Sequence, residues 1–212
     1  MAKIIELSGI DGVGKTTAFN HICNSLEKNN LKVLRTREVG SPHIKVCQQL
    51  REIVLNPELE LDGKSMEFIF AAMRIENQKF YNSIKDKYDY IVSDRGYLDH
   101  LAYTDHNVST EFTKEFYKNI VAKYTTTPDN VIYLDLDPEI GNKRRIERGD
   151  KADSIEKKGL DFQSKVRDSF IDHLVEGAAK QHFQFYMVDA SRTKEEVQKQ
   201  LDKVLERIIG DK

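Results

Sequence analysis

The stretch GIDGVGKTT, at residues 9–17, carries the residue types that bind phosphate groups. It contains the complete Walker A pattern, Gly-x-x-x-x-Gly-Lys-Thr, which ends at Thr16. Glycines let backbone N–H groups turn toward a polyanion, and the helix that follows adds the positive end of its dipole. We expect Lys15 to reach the β- and γ-phosphates and the Thr16 hydroxyl to ligate Mg²⁺, which predicts phosphoryl chemistry on a nucleoside triphosphate. The loop residues expected to bind this nucleotide are Gly9, Gly12, Val13, Gly14, Lys15, Thr16 and Thr17.

A carboxylate, Asp11, lies near the tip of this phosphate-binding loop. If its side chain pointed at the bound phosphate groups, its negative charge would repel them. We therefore expect Asp11 to point the other way, toward a second substrate. Alternatively, its side chain caps the following turn.

Asp94 and Arg95 follow an apolar run, YIVSD, that reads as a buried strand. Asp94 is a Walker B-like carboxylate, which we expect to hold the water shell of the Mg²⁺ ion. The planar fork of donors on Arg95 suits the binding of a phosphate group better than a lysine would. A structural ion pair is the alternative for Arg95. The metal candidates are therefore Thr16 and Asp94.

Phe70 and Arg74 are four residues apart in a segment with helical periodicity, so they share one helix face. Phe70 also lies on the apolar stripe of that helix, and a role in the core explains it equally well. Arg74 has no such reason to face inward, which favours a functional role.

Short β-branched runs alternate with helical patterns along the chain, which predicts parallel βαβ units. We expect a single α/β domain over residues 1–212, with the three-layer P-loop NTPase fold and a five-stranded parallel sheet flanked by helices. The predicted strands are 3–8, 32–36, 90–94, 130–136 and 183–189. The predicted helices are 16–28, 43–55, 64–85, 110–124, 138–146, 160–180 and 193–209.

The segment KRRIERGDKADSIEKK, at about 143–158, is almost entirely charged or small. It follows the fourth strand, where a short lid could close over a site at the carboxyl ends of the strands. A solvated helix end and loop is the alternative.

The overall charge of the chain excludes a general attraction to nucleic acid or membranes. The formal net charge is −2, and charged residues make up 32% of the sequence. No apolar run approaches the length of a membrane span, and Cys23 and Cys47 lack the spacing of a zinc or redox site. We expect a cytoplasmic protein with two buried thiols.

Four further segments narrow the family. They are TREVGS (36–41), FIFAAMR (68–74), SDRGYLDHLAYTD (93–105) and YLDLDPEIGNKR (133–144). Together with the phosphate-binding loop, and in this order, they resemble the thymidylate kinase family, whose members pass a phosphate group from ATP to dTMP. No guanine-reading Asn-Lys-x-Asp motif of GTPases occurs. The resemblance implies an ATP- and Mg²⁺-dependent kinase and a homodimer.

The resemblance also implies roles for single residues on the acceptor side. The family residue that matches Phe70 stacks on thymine, and the one that matches Arg74 contacts the edge of the base. The match of Arg95 binds the acceptor phosphate. The matches of Tyr103 and Asp11 lie close to the deoxyribose and bind its 3′-hydroxyl, respectively. The acceptor-binding set is Asp11, Arg37, Glu38, Phe70, Arg74, Arg95, Asp99, Tyr103 and Thr104. The catalytic set is Lys15, Arg95, Arg148 and Asp11.

Family members supply an arginine to the transferred phosphoryl group from the P-loop or from the lid. Gly12 occupies the P-loop position at which some members carry arginine, so we expect the charge to come from Arg144, Arg148 or Lys151. Arg148 is our first choice, whereas Arg145 reads as solvated. Arg144 and Arg148 join the predicted ATP-binding residues. No general base is needed, because a phosphate monoester is mostly dianionic at neutral pH.

The sequence departs from the family pattern mainly on the acceptor side. Val39 replaces a proline, Gly96 an aromatic residue, Asp99 a serine and Ser154 an arginine. These changes keep open a kinase of broader deoxynucleoside monophosphate specificity. Two more functions stay open: a deoxynucleoside kinase in which Glu38 acts as general base, and a non-catalytic nucleotide-binding module.

Overall fold

The computed structural model describes residues 1–147, 159–180 and 182–210. Its five strands form one all-parallel sheet, as the sequence predicted. The strands are β1 (Lys3–Ser8), β2 (Val33–Arg37), β3 (Tyr90–Asp94), β4 (Asn130–Asp135) and β5 (Gln184–Asp189), and their order in the sheet is β2-β3-β1-β4-β5. The helices are α1 (Lys15–Lys28), α2 (Lys45–Leu55), α3 (Gly63–Ile84), α4 (Tyr97–Asn107), α5 (Thr110–Asn119), α6 (Pro138–Glu147), α7 (Gly159–Ala179) and α8 (Lys194–Gly210), with a 3₁₀ turn at Val121–Lys123.

The centre of the sheet forms the core. β1 lies between β3 and β4, and its Ile5 and Leu7 are fully buried. Helices α1 and α8 pack together, as do α4 and α7, so that helices cover the sheet in a three-layer arrangement. Burial on both faces explains why the central strands read as continuous apolar runs. The predicted fold class is confirmed.

Helix α4, at Tyr97–Asn107, is an element that the sequence did not predict. Its N-cap residue is Gly96, which has no side chain to cap the first turn. Glu6 of β1 does so instead: its carboxylate accepts hydrogen bonds from the backbone N–H groups of Tyr97 (2.7 Å) and Leu98 (2.8 Å). A cap that comes from 91 residues earlier leaves no local start signal.

Two other predicted features differ from the structure or lie partly outside it. The helix predicted at 110–124 ends at Asn119. The predicted lid, 143–158, is described only to Glu147, where it continues α6.

No helix in the described ranges is long and apolar enough to cross a membrane. Both cysteines are buried, as expected.

Candidate active site

The phosphate-binding loop connects β1 to α1 and depends on its glycines. Gly12 (φ 80°) and Gly14 (φ 95°) lie in the left-handed region, where a side chain is strained. Lys15 folds back over the loop, and its Nζ donates to the carbonyl oxygens of Gly9 (2.9 Å) and Ile10 (2.7 Å). Burial and the nearby Arg95 lower the pKa of Lys15 below its usual value. Lys15 is thus held beside the loop that is predicted to bind the phosphate groups.

The tip of this loop touches helix α6 through two glycines. A Cβ atom on Gly12 would overlap the carbonyl oxygen of Gly141, and one on Gly141 would lie 2.7 Å from that of Asp11. Any side chain at position 12 would therefore meet the backbone of α6. An arginine at this position, as in some family members, does not fit this packing.

Asp11 turns away from the predicted phosphate site toward the neighbouring cavity. Its carboxylate accepts a hydrogen bond from Arg95, lies 3.6 Å from Lys15 Nζ and accepts a longer hydrogen bond from Tyr103 (3.4 Å). Burial alone would raise the pKa of Asp11, but the charges of Arg95 and Lys15 lower it. Gln163 of α7 also donates to this carboxylate at 3.4 Å. Asp11 therefore lies where the phosphate-binding loop meets the cavity.

Arg95 is held between two carboxylates. Besides Asp11, its Nη1 donates to Asp99 Oδ1 at 2.6 Å, and its guanidinium lies over the Tyr103 ring at 5.4 Å from the centroid. Its backbone adopts a positive φ of 69°, and the backbone N–H donates to Leu7. Burial raises the pKa of Asp99, while the charge on Arg95 opposes that shift. A phosphate group arriving here must share the donors of Arg95 with these carboxylates.

The cavity beside Arg95 has a volume of about 290 Å³. Its walls come from α2, α3, α4, the loop after β2 and the tip of the phosphate-binding loop. Of the nine residues predicted to bind the acceptor, eight line it: Asp11, Glu38, Phe70, Arg74, Arg95, Asp99, Tyr103 and Thr104.

Arg37 is the predicted acceptor residue that the cavity leaves out. Its exposed side chain donates through Nε to the carbonyl oxygen of Gly40 at 3.0 Å. Glu38 is inside the cavity and pairs with Arg74 at 2.8 Å. The Glu38–Val39 peptide bond is cis. Of the neighbouring residues Arg37 and Glu38, both predicted to bind the acceptor, only Glu38 thus lines the cavity.

The end of the cavity near α3 and α4 is polar. The Thr104 hydroxyl donates to Glu67 Oε2 at 2.6 Å, and His100 Nε2 lies 3.8 Å from the same oxygen, beyond hydrogen-bond distance. Burial and the charge of Arg74 lower the pKa of His100 to about 3. A neutral imidazole therefore faces the cavity at physiological pH. The ring of Phe70 meets that of His100 edge to face, at 6.4 Å.

Asp94, predicted to hold the magnesium ion through water, lies at the end of β3. Its Oδ1 is buried and has no hydrogen-bond partner among the described residues. The pairing of Leu7 with Asp94 in the sheet brings this carboxylate next to the start of the phosphate-binding loop. No three His, Cys, Asp or Glu side chains gather into a metal site within residues 1–147, 159–180 and 182–210. The residues present fit an ion whose other ligands are phosphate, water and the exposed Thr16.

Only some of the residues predicted to bind ATP lie within the part of the chain that the structure describes. Arg144 donates to the carbonyl oxygen of Ala190 at 2.9 Å, next to the end of β5. Arg145, expected to be solvated, is half-buried and donates to Asn142 at 3.0 Å. The side chain of Val13 packs in the core. Arg148 and Lys151 lie outside the described residues, and their predicted roles stay predictions.

The sequence analysis missed several residues at or beside the site, among them Glu6, Glu67, Asn77, His100 and Gln163. Glu6 sits within a strand, and its partner helix is far away in sequence. Asn77 continues the helical spacing of Phe70 and Arg74, which was a usable signal. Gln163 follows the charged segment and carries no signal of its own.

Comparison with known proteins gives a consistent family. A family model described as "Thymidylate kinase" matches residues 7–201. A thymidylate kinase of Francisella tularensis subsp. novicida (strain U112) is 34% identical over 211 residues, which is 97% of this chain and 96% of that relative. A thymidylate kinase of Legionella pneumophila (strain Corby) is 31% identical over 216 residues, covering 98% and 95% of the two chains.

Proposed function

This chain belongs to the thymidylate kinase family, and we propose that it transfers the γ-phosphate of ATP to dTMP, giving dTDP. The observation that carries the proposal is the position of Arg95. Its guanidinium joins Asp11, in the phosphate-binding loop, to Asp99, in the wall of the cavity. Donor and acceptor phosphates must meet at such a point, because in-line transfer needs both groups held together away from water.

The cavity walls support the proposed acceptor-binding roles. Phe70 offers an aromatic plane for thymine, and Arg74 offers donors for the base edge. Tyr103 and Asp11 lie together near Arg95, where they would contact the deoxyribose and its 3′-hydroxyl. Arg95 binds the acceptor phosphate, and this replaces part of its contact with Asp99.

The phosphate-binding loop forms the donor side of the proposed site. The loop glycines and Lys15 bind the β- and γ-phosphates of ATP, and Thr16 and Asp94 hold Mg²⁺. When bound, the ion neutralises charge on the β- and γ-phosphate oxygens. Arg148, with Arg144, supplies charge to the transferred group from the lid at about 143–158. No residue acts as general base, since the dTMP phosphate already carries its nucleophilic oxygen as an anion.

We propose that the active form is a homodimer of this single domain. Helices α2 and α3 pack together and leave three apolar side chains exposed: Val46 (44%), Ile53 (39%) and Phe68 (55%). A second copy of the chain would cover them. Light scattering should then give twice the monomer mass, and V46D with I53D should shift the protein to monomers. The cytoplasmic location stays a prediction.

An acceptor panel tests the central proposal. ADP release should be measured with dTMP, dUMP, dCMP, dGMP, AMP and thymidine, each with Mg²⁺ and then with excess chelator. We expect dTMP to give the highest kcat/KM and the chelator to abolish turnover. Thymidine as the best acceptor would overturn the proposal in favour of a deoxynucleoside kinase.

The pairing of Glu38 with Arg74 argues against a deoxynucleoside kinase, because a general base must be free to take a proton.

A further inference from the structure

Asn77, on α3, carries a buried side-chain amide in the wall of the cavity. The residue is only 1% exposed. Within the described parts of the chain, neither its Nδ2 nor its Oδ1 has a hydrogen-bond partner. Buried polar groups are almost always paired, because leaving one unpaired costs folding free energy. The amide is therefore well placed to pair with a group from outside the chain.

The position of Asn77 on its helix indicates which group that is. Phe70, Arg74 and Asn77 occupy positions i, i+4 and i+7 of α3, so they form one stripe, and all three line the same cavity. An aromatic plane, a guanidinium and an amide thus follow one another along the wall. This order suits a flat ring that stacks on the first residue and presents a polar edge to the other two.

We propose that Asn77 reads the hydrogen-bonding edge of the acceptor base, an inference that rests on the proposed function. A carboxamide places a donor and an acceptor side by side. Thymine presents the matching pair, a C4 carbonyl that accepts and an N3–H that donates. Asn77 can therefore bind both groups at once, through Nδ2 and Oδ1.

Arg74 determines which base Asn77 pairs with. An amide can turn over, so Asn77 alone would also pair with the amino group and ring nitrogen of cytosine. Arg74 carries donors only and lies one helical turn before Asn77, so it favours a base with a carbonyl oxygen at that edge. The two residues together select thymine over cytosine.

A buried structural water bound by Asn77 is the competing explanation. In that case a substitution would lower stability and would affect all acceptors alike. Selection of the base would instead change the ratio between two acceptors. This ratio is the readout that separates a specificity-determining residue from a structural one.

The test uses Asn77→Asp and Asn77→Leu in the full chain, with Asn82→Asp on the exposed side of the same helix as the control. Steady-state kcat/KM is measured for dTMP and dCMP, together with the KM for ATP. Asn77→Leu should lower kcat/KM for dTMP by about 10–100-fold and change the ATP KM by less than about twofold. Asn77→Asp, which only accepts hydrogen bonds, should raise the dCMP-to-dTMP ratio at least about tenfold.

An unchanged ratio in a folded Asn77→Asp variant would overturn the inference. If that variant does not fold, the increase in Tm caused by dTMP decides the matter: it should be smaller for Asn77→Leu than for the wild type, and an equal increase refutes the proposed contact. Failure of the wild type to use dTMP would refute the proposed function instead. A wild type that uses dTMP while both variants keep its selectivity would refute only the role of Asn77.

Discussion

The carboxylate of Glu6 occupies the space in which a side chain at Gly96 would begin. A Cβ atom on Gly96 would lie 2.5 Å from Glu6 Oε2. The same carboxylate caps helix α4, which carries Asp99, His100 and Tyr103 into the cavity. This explains why glycine stands where the family pattern has an aromatic residue: the Glu6 carboxylate fills that volume.

A double-mutant cycle checks the relationship between Glu6 and Gly96. Gly96→Ala should lower the free energy of unfolding by roughly 1–3 kcal/mol through overpacking. Glu6→Ala should cost about 1–3 kcal/mol, because it leaves two buried N–H groups without an acceptor. In the double variant the clash disappears, so the loss should be smaller than the sum of the two. Urea unfolding gives the values, and Gly210→Ala, in open space, is the control. Strict additivity would contradict the steric link.

Lys15→Ala should reduce turnover far more than nucleotide binding. The lysine is expected to meet charge that builds up on the transferred phosphoryl group, and the loss of one such group costs on the order of 100-fold or more in kcat. Single-turnover kinetics and ATP titration separate the two effects. Lys28→Ala, at the exposed end of the same helix, should leave both unchanged. A defect confined to ATP affinity would remove Lys15 from the chemical step.

Asp99→Asn should improve the binding of the acceptor. The dTMP phosphate must share Arg95 with two carboxylates, and the amide keeps an oxygen for Arg95 Nη1 while it removes one negative charge. We expect the KM for dTMP to fall by roughly 3–10-fold, with the ATP KM unchanged. The measurement is initial-rate kinetics at fixed ATP. A higher KM for dTMP would show instead that the charge of Asp99 is needed to orient Arg95.

His100 should make the fold sensitive to acid. Its pKa is lowered to about 3 in the folded protein, against about 6.5 when the chain is unfolded. Between these values the unfolded state binds a proton that the folded state does not, so stability falls as the pH drops below 6.5. At pH 5 the loss is about 2 kcal/mol from this group. The free energy of unfolding of His100→Asn, measured between pH 7 and 5, should not show this loss. The control His182→Asn, at an exposed position, should still show it.

The sequence predicted the sheet because burial on both faces leaves long apolar runs that are bounded by turn residues. It also located the phosphate-binding loop, in which spacing and residue type follow directly from phosphate chemistry. Helix α4 was missed because its cap, Glu6, is distant along the chain. Arg37 does not line the cavity, and a strand end does not reveal where its last side chain points, so its acceptor role stays a prediction. Pairings such as Glu38 with Arg74 arise only when the elements have packed.

The pairing of the cavity arginines bears on how the acceptor arrives. Arg95 is balanced by Asp11 and Asp99, and Arg74 is balanced by Glu38, so little positive field extends from the cavity into solvent. Long-range attraction speeds the encounter of charged partners, and salt weakens that attraction. The association rate constant of dTMP should therefore change little with ionic strength, which stopped-flow binding can measure. We therefore expect diffusion alone to bring the acceptor to the cavity, where its phosphate is recognised only on contact.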